Sequence, residues 1–343
     1  MKRVFIFILF LNLCCILKAQ DSIRVLFVGN SYTYVNDLPS ILTRLAQTNG
    51  KTVLATSFTS GGARFMTHWQ NENLKQAIKN DNYDIMILQG QSQEVAFPIS
   101  QFQTEVYPYA QKLDSLFKLY NSEGRVIFFM TWGYKYGDAN NCLSYPPFCT
   151  YESMSMELCQ NYSSMAYDFQ SEVSPIGNAW LYVYNQNPSS FDLHSSDNSH
   201  PNIKGSYLAA CVLYTTIFQT SIHSDYYASL TSQEALSLQQ TASFLFENNI
   251  LSVCNDFSSL QEQSKQNNFS LFYSQQNNAL TINSIDNKCN VLVEIYNTLG
   301  IKVKEVALSN FSQYVMDVKN MKKGYYIVRV SDKQNIFTYN FVR

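Results

Sequence analysis

Between Ile23 and about Phe257, short runs of consecutive apolar residues alternate with longer stretches in which apolar side chains recur every three or four positions. The runs Ile23–Val28, Thr52–Phe58, Asp84–Leu88, Val126–Met130 and Val173–Ile176 read as strands. The stretches Leu38–Gln47, Asn71–Lys79, Phe102–Tyr120, Glu152–Gln170, Ile203–Phe218 and Gln233–Glu247 read as amphipathic or buried helices. Strands that are apolar at consecutive positions are buried on both faces, so the pattern predicts a parallel sheet covered by helices on either side, a three-layer α/β/α architecture. Ligands bind at the carboxyl ends of the strands in such sheets, which directs attention to the loops after Val28, Phe58 and Leu88.

The pattern changes after Asp256. Residues 258–278 are rich in Ser, Gln and Asn, a linker composition, and separate an α/β unit over 21–257 from a terminal unit over 279–343. In that last segment Leu280–Ile285, Val291–Tyr296, Ile301–Val306, Tyr314–Val318 and Tyr325–Val330 read as strands of a small all-β sandwich, with a turn at Asn297–Gly300.

The first 20 residues carry Lys2 and Arg3, an apolar run from Val4 to Leu17, and then Lys18-Ala19-Gln20. This is the order of a cleavable signal peptide, with cleavage near Ala19 or Gln20. A transmembrane anchor is the competing interpretation, but the run falls short of the roughly 20 apolar residues a bilayer requires. Asn12 also interrupts it, and Leu13 is too large for a lipoprotein cleavage site before Cys14. No later stretch is long and apolar enough to span a membrane, so no stable membrane insertion of the mature chain is expected.

Charge sharpens this division. The 343 residues carry a net charge of −2, with 46% hydrophobic and only 15% charged residues. That balance excludes a nucleic-acid partner, which would need clustered Lys and Arg. The total conceals a cancellation: residues 21–265 carry −9, whereas 266–343 carry +4. Of the eight Cys, Cys142 and Cys149 bracket a short Pro-containing loop suited to a local disulfide in an exported protein. No CxxC or close His pair favours a zinc site, and Cys211 falls in an apolar helical pattern as a buried thiol.

The first strand runs directly into Gly29-Asn30-Ser31, which would place a hydroxyl and free backbone N–H groups at the sheet's carboxyl edge. The same tripeptide is also an ordinary turn and helix cap. A nucleophilic Ser needs a base, and the chain has four His: 68, 194, 200 and 223. His200 stands three residues after Asp197 and just ahead of a helix, so one loop can present a carboxylate and an imidazole together. His194 near Asp192 is a local competitor, and His68 beside Trp69 suits packing or substrate lining.

These blocks together resemble the SGNH (GDSL-like) hydrolases. Gly29-Asn30-Ser31, Ser60-Gly61-Gly62-Ala63, Gln89-Gly90-Gln91-Ser92 and Asp197-x-x-His200 stand in that family's order, over roughly residues 22–250. The resemblance implies a flavodoxin-like fold and a Ser31–His200–Asp197 triad. It also implies an oxyanion hole from the Ser31 and Gly62 backbone N–H groups with a side-chain amide from Gln89 or Gln91, and no metal or cofactor. Two departures stand out: Asn30 replaces a common Asp, and the usual Gly-x-Asn-Asp third block is absent. A Gln-containing block is similar to the branch acting on acetylated sugars. Tyr32, His68, Trp69 and Trp132 are candidate substrate-binding residues, with core packing as the alternative for the aromatic ones.

The last 75 or so residues resemble the C-terminal sorting domain of type IX secretion in Bacteroidetes-type bacteria, through Val291–Val303, Tyr314–Val318 and Lys323–Val330. That resemblance implies the type IX machinery as a partner and delivery through the periplasm of a Gram-negative cell to its surface or beyond. An immunoglobulin-like accessory or carbohydrate-binding sandwich fits the same strand pattern. The expected function is that of a secreted serine esterase acting on a small-molecule or glycan ester, foremost O-acyl groups on carbohydrates. A lipid or thioester hydrolase is the enzymatic rival, and a catalytically silent glycan-binding protein the rival from another class.

Overall fold

The computed structural model describes residues 22–186, 188, 192–248, 254, 269–274, 278–284, 290–297, 301–322, 325–331 and 336–342. The signal-peptide segment and most of the linker segment lie outside them.

Five parallel strands, β1 (Ser22–Gly29), β2 (Thr52–Thr59), β3 (Ile85–Leu88), β4 (Arg125–Phe129) and β5 (Glu172–Ser174), form one sheet in the order β2-β1-β3-β4-β5. Around it the helices run in chain order as α1 (Ser31–Tyr34), α2 (Leu38–Thr48), α3 (Phe65–Trp69), α4 (Glu72–Asn80), α5 (Ile99–Gln101) and α6 (Tyr107–Tyr120). They continue as α7 (Tyr151–Phe169), α8 (Ile176–Gln186), α9 (Ile203–Phe218) and α10 (Ser232–Glu247). Successive side chains of a strand point to opposite faces, so Val25 and Phe27 enter one core while Leu26 and Val28 enter the other. The first core is closed by α2, α8, α9 and α10, and the second by α4, α6 and α7. Helix α9 is buried almost all round, from Gly205 to Ile217, which explains why its sequence is apolar on every face. No described helix is long and apolar enough to cross a membrane.

The three-layer α/β/α architecture therefore matches the hydropathy pattern, with two local differences. The fifth strand ends at Ser174, and Ile176 instead opens α8. The α8 sequence IGNAWLYVYNQ is apolar at consecutive positions because that helix is covered by the first core, and such a short run is indistinguishable from a buried strand by periodicity alone. Residues Phe102–Val106 form a π-helical turn before α6.

The terminal unit has a three-stranded antiparallel sheet of β6 (Phe269–Ser274), β7 (Ala279–Ser284) and β10 (Gln313–Asp317). A four-stranded antiparallel sheet combines β8 (Asn290–Asn297), β9 (Lys302–Ser309), β11 (Tyr325–Ser331) and β12 (Ile336–Val342). Its own core holds Leu280, Ile282, Val293, Ile295, Met316, Val328 and Val330. Strand β6 falls within the stretch expected to be a linker. Its Ser and Gln neighbours mask the signal, but Leu271 packs on the terminal core and the whole strand pairs with β7.

Among the described residues there are two disulfides, Cys142–Cys149 and Cys159–Cys254. The first is the local bridge expected from spacing; the second joins α7 to a position 95 residues later, which spacing could not indicate. Cys211 is a buried free thiol in α9.

Candidate active site

Strand β1 ends at Gly29, and the chain turns at once into α1 with Asn30 as the cap. Asn30 Oδ1 accepts from the Tyr32 N–H at 3.0 Å, the ordinary work of an N-cap. Ser31 is then the first helical residue, and its own N–H has no acceptor within the helix. A side chain at Gly29 would lie 2.5 Å from Thr33 Oγ1 and 2.6 Å from Gln89 Oε1, so this close turn requires glycine.

The loop after β2 is sewn to this turn. Ser60 N–H donates to the Gly29 carbonyl at 3.3 Å, and Asn30 Nδ2 to the Ala63 carbonyl at 3.2 Å. Gly62 has φ of 67°, a left-handed conformation suited to glycine, and both Gly61 and Gly62 are exposed.

His200 closes the arrangement. The hairpin loop between Leu193 and Asn202 is held by the Ser195 N–H to His200 carbonyl bond at 2.7 Å and the Asn202 N–H to Leu193 carbonyl bond at 2.9 Å. Asn202 also caps α9 by accepting from the Gly205 N–H. From this loop His200 Nε2 reaches Ser31 Oγ at 2.8 Å, while Nδ1 meets Asp197 Oδ2 at 2.5 Å. Asp197 Oδ1 accepts from the Ser199 and His200 N–H groups at 3.0 and 2.9 Å. Its partial burial opposes ionisation, but the Ser199 N–H and the His200 side chain and N–H outweigh it and hold the carboxyl below its usual range. Such a line can pass a proton from the Ser31 hydroxyl to the imidazole while the carboxylate orients the ring.

The other candidates lie outside the hydrogen-bonded line of Ser31, His200 and Asp197, and for His68, Tyr32 and Trp132 the packing alternative holds. His194 is buried, with Nε2 against the Gly133 carbonyl at 3.0 Å and its ring edge-on to Trp180. Burial lowers its pKa to about 4, and Asp192 is engaged by Lys204 and Asn202 instead. His68 is also buried, its pKa lowered to about 4 by desolvation despite a hydrogen bond to the Gly29 backbone. Tyr32 and Trp132 are 2% and 0% exposed and stack at 4.7 Å, and Trp132 stacks in turn on Trp180 at 3.8 Å. His68, Tyr32 and Trp132 thus support the site from beneath and offer no open face to a ligand. Trp69 lies on the second core under the ammonium groups of Lys75 and Lys112.

Gln89 likewise has another task. It is fully buried; its Oε1 accepts from the Asn30 N–H at 2.9 Å and Thr33 Oγ1 at 2.8 Å. Its Nε2 donates to Asn30 Oδ1 at 2.9 Å and to the Gly90 carbonyl. Both amide hydrogens are spent within the protein, which removes Gln89 from the set of oxyanion donors. Gln91 turns its Nε2 to Ser92 Oγ at 2.9 Å and accepts from the Gln93 and Glu94 N–H groups.

Two supporting features carried no sequence signal of their own. Tyr32 Oη meets Ser199 Oγ at 2.6 Å, and Trp132 Nε1 donates to the Ser199 carbonyl at 3.1 Å, fixing the residue between Asp197 and His200. Buried Glu94 joins the loops after β2 and β3 through Arg64, Phe65 and Gln91. Among the described residues, no cluster of three His, Cys, Asp or Glu side chains is placed to hold a metal ion.

A Bacteroides uniformis protein of the DUF4886 family shares the fold at 16% identity, with TM-score 0.56, over 67% of this chain and 96% of its own. A candidate SGNH hydrolase from Slackia heliotrinireducens is similar at 23% identity with TM-score 0.46, over 57% of this chain and 100% of its own. An acetyl xylan esterase from Geobacillus stearothermophilus is similar at 14% identity with TM-score 0.39, over 57% and 93%. No curated protein matches the chain. Residues 276–342 match the secretion system C-terminal sorting domain, so this is an exported protein, bound for the cell surface or the medium, that carries an α/β/α sandwich.

Proposed function

We propose that the chain is an exported serine esterase in which Ser31 is the nucleophile, His200 the general base and acid, and Asp197 the group that orients and steadies the imidazole. The observation that carries this reading is the line Ser31 Oγ–His200 Nε2–Asp197 at 2.8 and 2.5 Å, at the carboxyl edge of a parallel sheet. As Ser31 Oγ attacks the ester carbonyl, its proton passes to His200 Nε2. The tetrahedral oxyanion is met by the Ser31 and exposed Gly62 backbone N–H groups, and such donors each contribute roughly 3–4 kcal/mol. Collapse breaks the ester C–O bond, and His200 returns the proton to the leaving alkoxide. Water, deprotonated by the same imidazole, then hydrolyses the acyl-enzyme and regenerates the Ser31 hydroxyl.

With the Gln89 amide spent on Asn30 and Gly90 and the Gln91 amide turned to Ser92 Oγ, the oxyanion hole in this reading rests on backbone donors. An acylated carbohydrate is the preferred substrate class, supported by the export signal and by Tyr34 and Tyr136, which are 45% and 71% exposed. Tyr34 lies one helical turn from Ser31, and Tyr136 follows Lys135, whose N–H donates to the Asn198 carbonyl beside Asp197. Rings so placed can stack on sugar faces. A panel of p-nitrophenyl acyl esters tests the reading with wild type and Ser31→Ala. Short-chain hydrolysis lost in the variant is expected; equal hydrolysis by both proteins overturns it, and preference for chains beyond about C6 transfers the assignment to lipid esters, whose chains gain affinity with every buried methylene.

A further inference from the structure

Glu94 has no exposed surface, lies outside the hydrogen-bonded line of Ser31, His200 and Asp197, and spends both carboxylate oxygens on partners from two different loops. Its Oε1 accepts from the Phe65 N–H at 3.1 Å and from the Gln91 N–H at 2.8 Å. Its Oε2 accepts from Arg64 Nε at 2.9 Å. Arg64 and Phe65 immediately follow Gly62-Ala63, whereas Gln91 follows the Gln89 brace under the nucleophile turn. One buried carboxylate therefore bridges the loop that presents the Gly62 N–H and the loop that supports Ser31. Arg64 is further held by Glu105 at 3.2 Å and lies over the Phe97 ring at 5.5 Å, so the tie is anchored on the second core.

The geometry points to Glu94 as a positioning residue that sets the Gly62 N–H relative to Ser31 Oγ. This inference rests on the esterase reading. A buried carboxylate is expensive to desolvate, and three N–H donors offset that cost only while both loops keep their separation. The device is sensitive because an oxyanion donor works over a few tenths of an ångström, and a misplacement of about 1 Å can cost on the order of 100-fold in rate. Glu94 touches none of the reacting atoms, so its effect should fall on turnover and leave substrate capture largely alone.

The test compares wild type with Glu94→Leu and Glu94→Gln, using p-nitrophenyl acetate well below each protein's Tm. Leu removes every bond, whereas Gln retains a carbonyl oxygen for the two backbone N–H groups and loses the pairing with Arg64. The expected order of kcat is wild type, then Glu94→Gln about fivefold lower, then Glu94→Leu about 30-fold lower or more, with KM within about threefold throughout. Equal kcat in all three overturns the inference, as does a loss confined to KM. Should Glu94→Leu fail to fold, Glu94→Gln decides alone. Lower kcat with faster hydrogen exchange over both 60–66 and 89–95 supports the tie, while unchanged kcat or loosening of one loop only overturns it. Hydrogen exchange is read without turnover, so coupled loosening alongside an inactive wild type would indict the esterase reading and leave the structural tie in place.

Discussion

Asn30 and Gln89 exchange hydrogen bonds in both directions, the Asn30 N–H donating to Gln89 Oε1 and Gln89 Nε2 donating to Asn30 Oδ1, each at 2.9 Å. The pair explains two departures from the expected blocks together. An Asp at position 30 would have no donor for the Ala63 carbonyl, which Asn30 Nδ2 now satisfies, and the amide of Gln89 is the complementary partner for an Asn. Gln89→Glu keeps the size but replaces the donor with a second acceptor, facing Asn30 Oδ1 and the Gly90 carbonyl in a fully buried site. The expected loss is about 3–5 kcal/mol at pH 7, partly recovered at pH 5 where the buried carboxyl takes up a proton. Urea denaturation at the two pH values reads it; stability within about 1 kcal/mol of wild type would contradict the brace.

The blocks around Ser31 and Gly62 were legible because each is a short local pattern after a strand end, and a parallel sheet brings strand ends together whatever the intervening sequence; Asp197-x-x-His200 was legible as a short pattern in one loop just ahead of α9. The brace was not legible in the same way. Gln89 and Gln91 are the same residue type two positions apart, and only packing shows that one is enclosed by Asn30 and Thr33 while the other caps its own loop. Composition likewise could not tell a ring that lines a groove from one beneath it, as Tyr32, Trp132 and Trp180 show by stacking into the first core. Strand β6 was hidden because its pairing with β7, more than its hydropathy, makes it a strand.

Tyr32→Phe removes the 2.6 Å contact with Ser199 Oγ while preserving the stacked ring. The Trp132 bond to the Ser199 carbonyl remains, so the loop carrying Asp197 and His200 should loosen without collapsing. Stability should fall by about 1 kcal/mol, and kcat by roughly three- to tenfold with KM little changed. Steady-state kinetics on a short-chain ester checks this, and full activity would show that Trp132 alone fixes the loop.

His68 provides a pH dependence whose sign can be worked out. In the folded protein burial lowers its pKa to about 4, against about 6.5 in the unfolded chain. The unfolded state therefore binds more protons between these values, so the contribution is fully present above pH 6.5, declines as pH falls, and levels off below pH 4. The full drop is about 3 kcal/mol. His194, also lowered to about 4 by burial, adds a drop of the same sign. Buried Glu94 and Asp114, whose pKa values desolvation raises, tilt the profile the other way. Subtracting the stability curve of His68→Gln from that of wild type isolates the His68 contribution. A difference that is flat from pH 7 to 4 would show that His68 is not held neutral.

The two disulfides should contribute unequally, because a cross-link restricts the unfolded chain more when it closes a longer loop. Cys159–Cys254 spans 95 residues and Cys142–Cys149 only seven. Chain-entropy arithmetic gives about 4.7 kcal/mol for the first and about 2.4 kcal/mol for the second. Paired Cys→Ser replacement followed by thermal unfolding should therefore lower Tm more for the long loop. The reverse order would mean that the 142–149 loop carries structural weight beyond its length, through the Asp138 N–H bond to the Phe148 carbonyl at 2.7 Å or the Gln93 bond to Asp138.

Removing residues 266–343 separates delivery from the proposed chemistry. The terminal unit has its own core of Leu280, Ile282, Val293, Val328 and their neighbours, and none of these residues belongs to either core of the α/β unit. The cut falls after Cys254, which is bonded to Cys159 in α7, so the α/β unit keeps that anchor. Every residue of the Ser31–His200–Asp197 line and of the Asn30–Gln89 brace lies before residue 201. The truncated protein should therefore hydrolyse a short-chain ester at the rate of the full chain. It should also unfold at nearly the same temperature, since the buried apolar area that stabilises the α/β unit is unchanged. In the native host it should fail to reach the surface, because the sorting segment over 276–342 is gone. Assay of the purified protein and fractionation of the cells read the two halves independently. Loss of activity with retained export would assign the terminal strands to the catalytic unit, whereas retained activity with blocked export follows from two separately built cores.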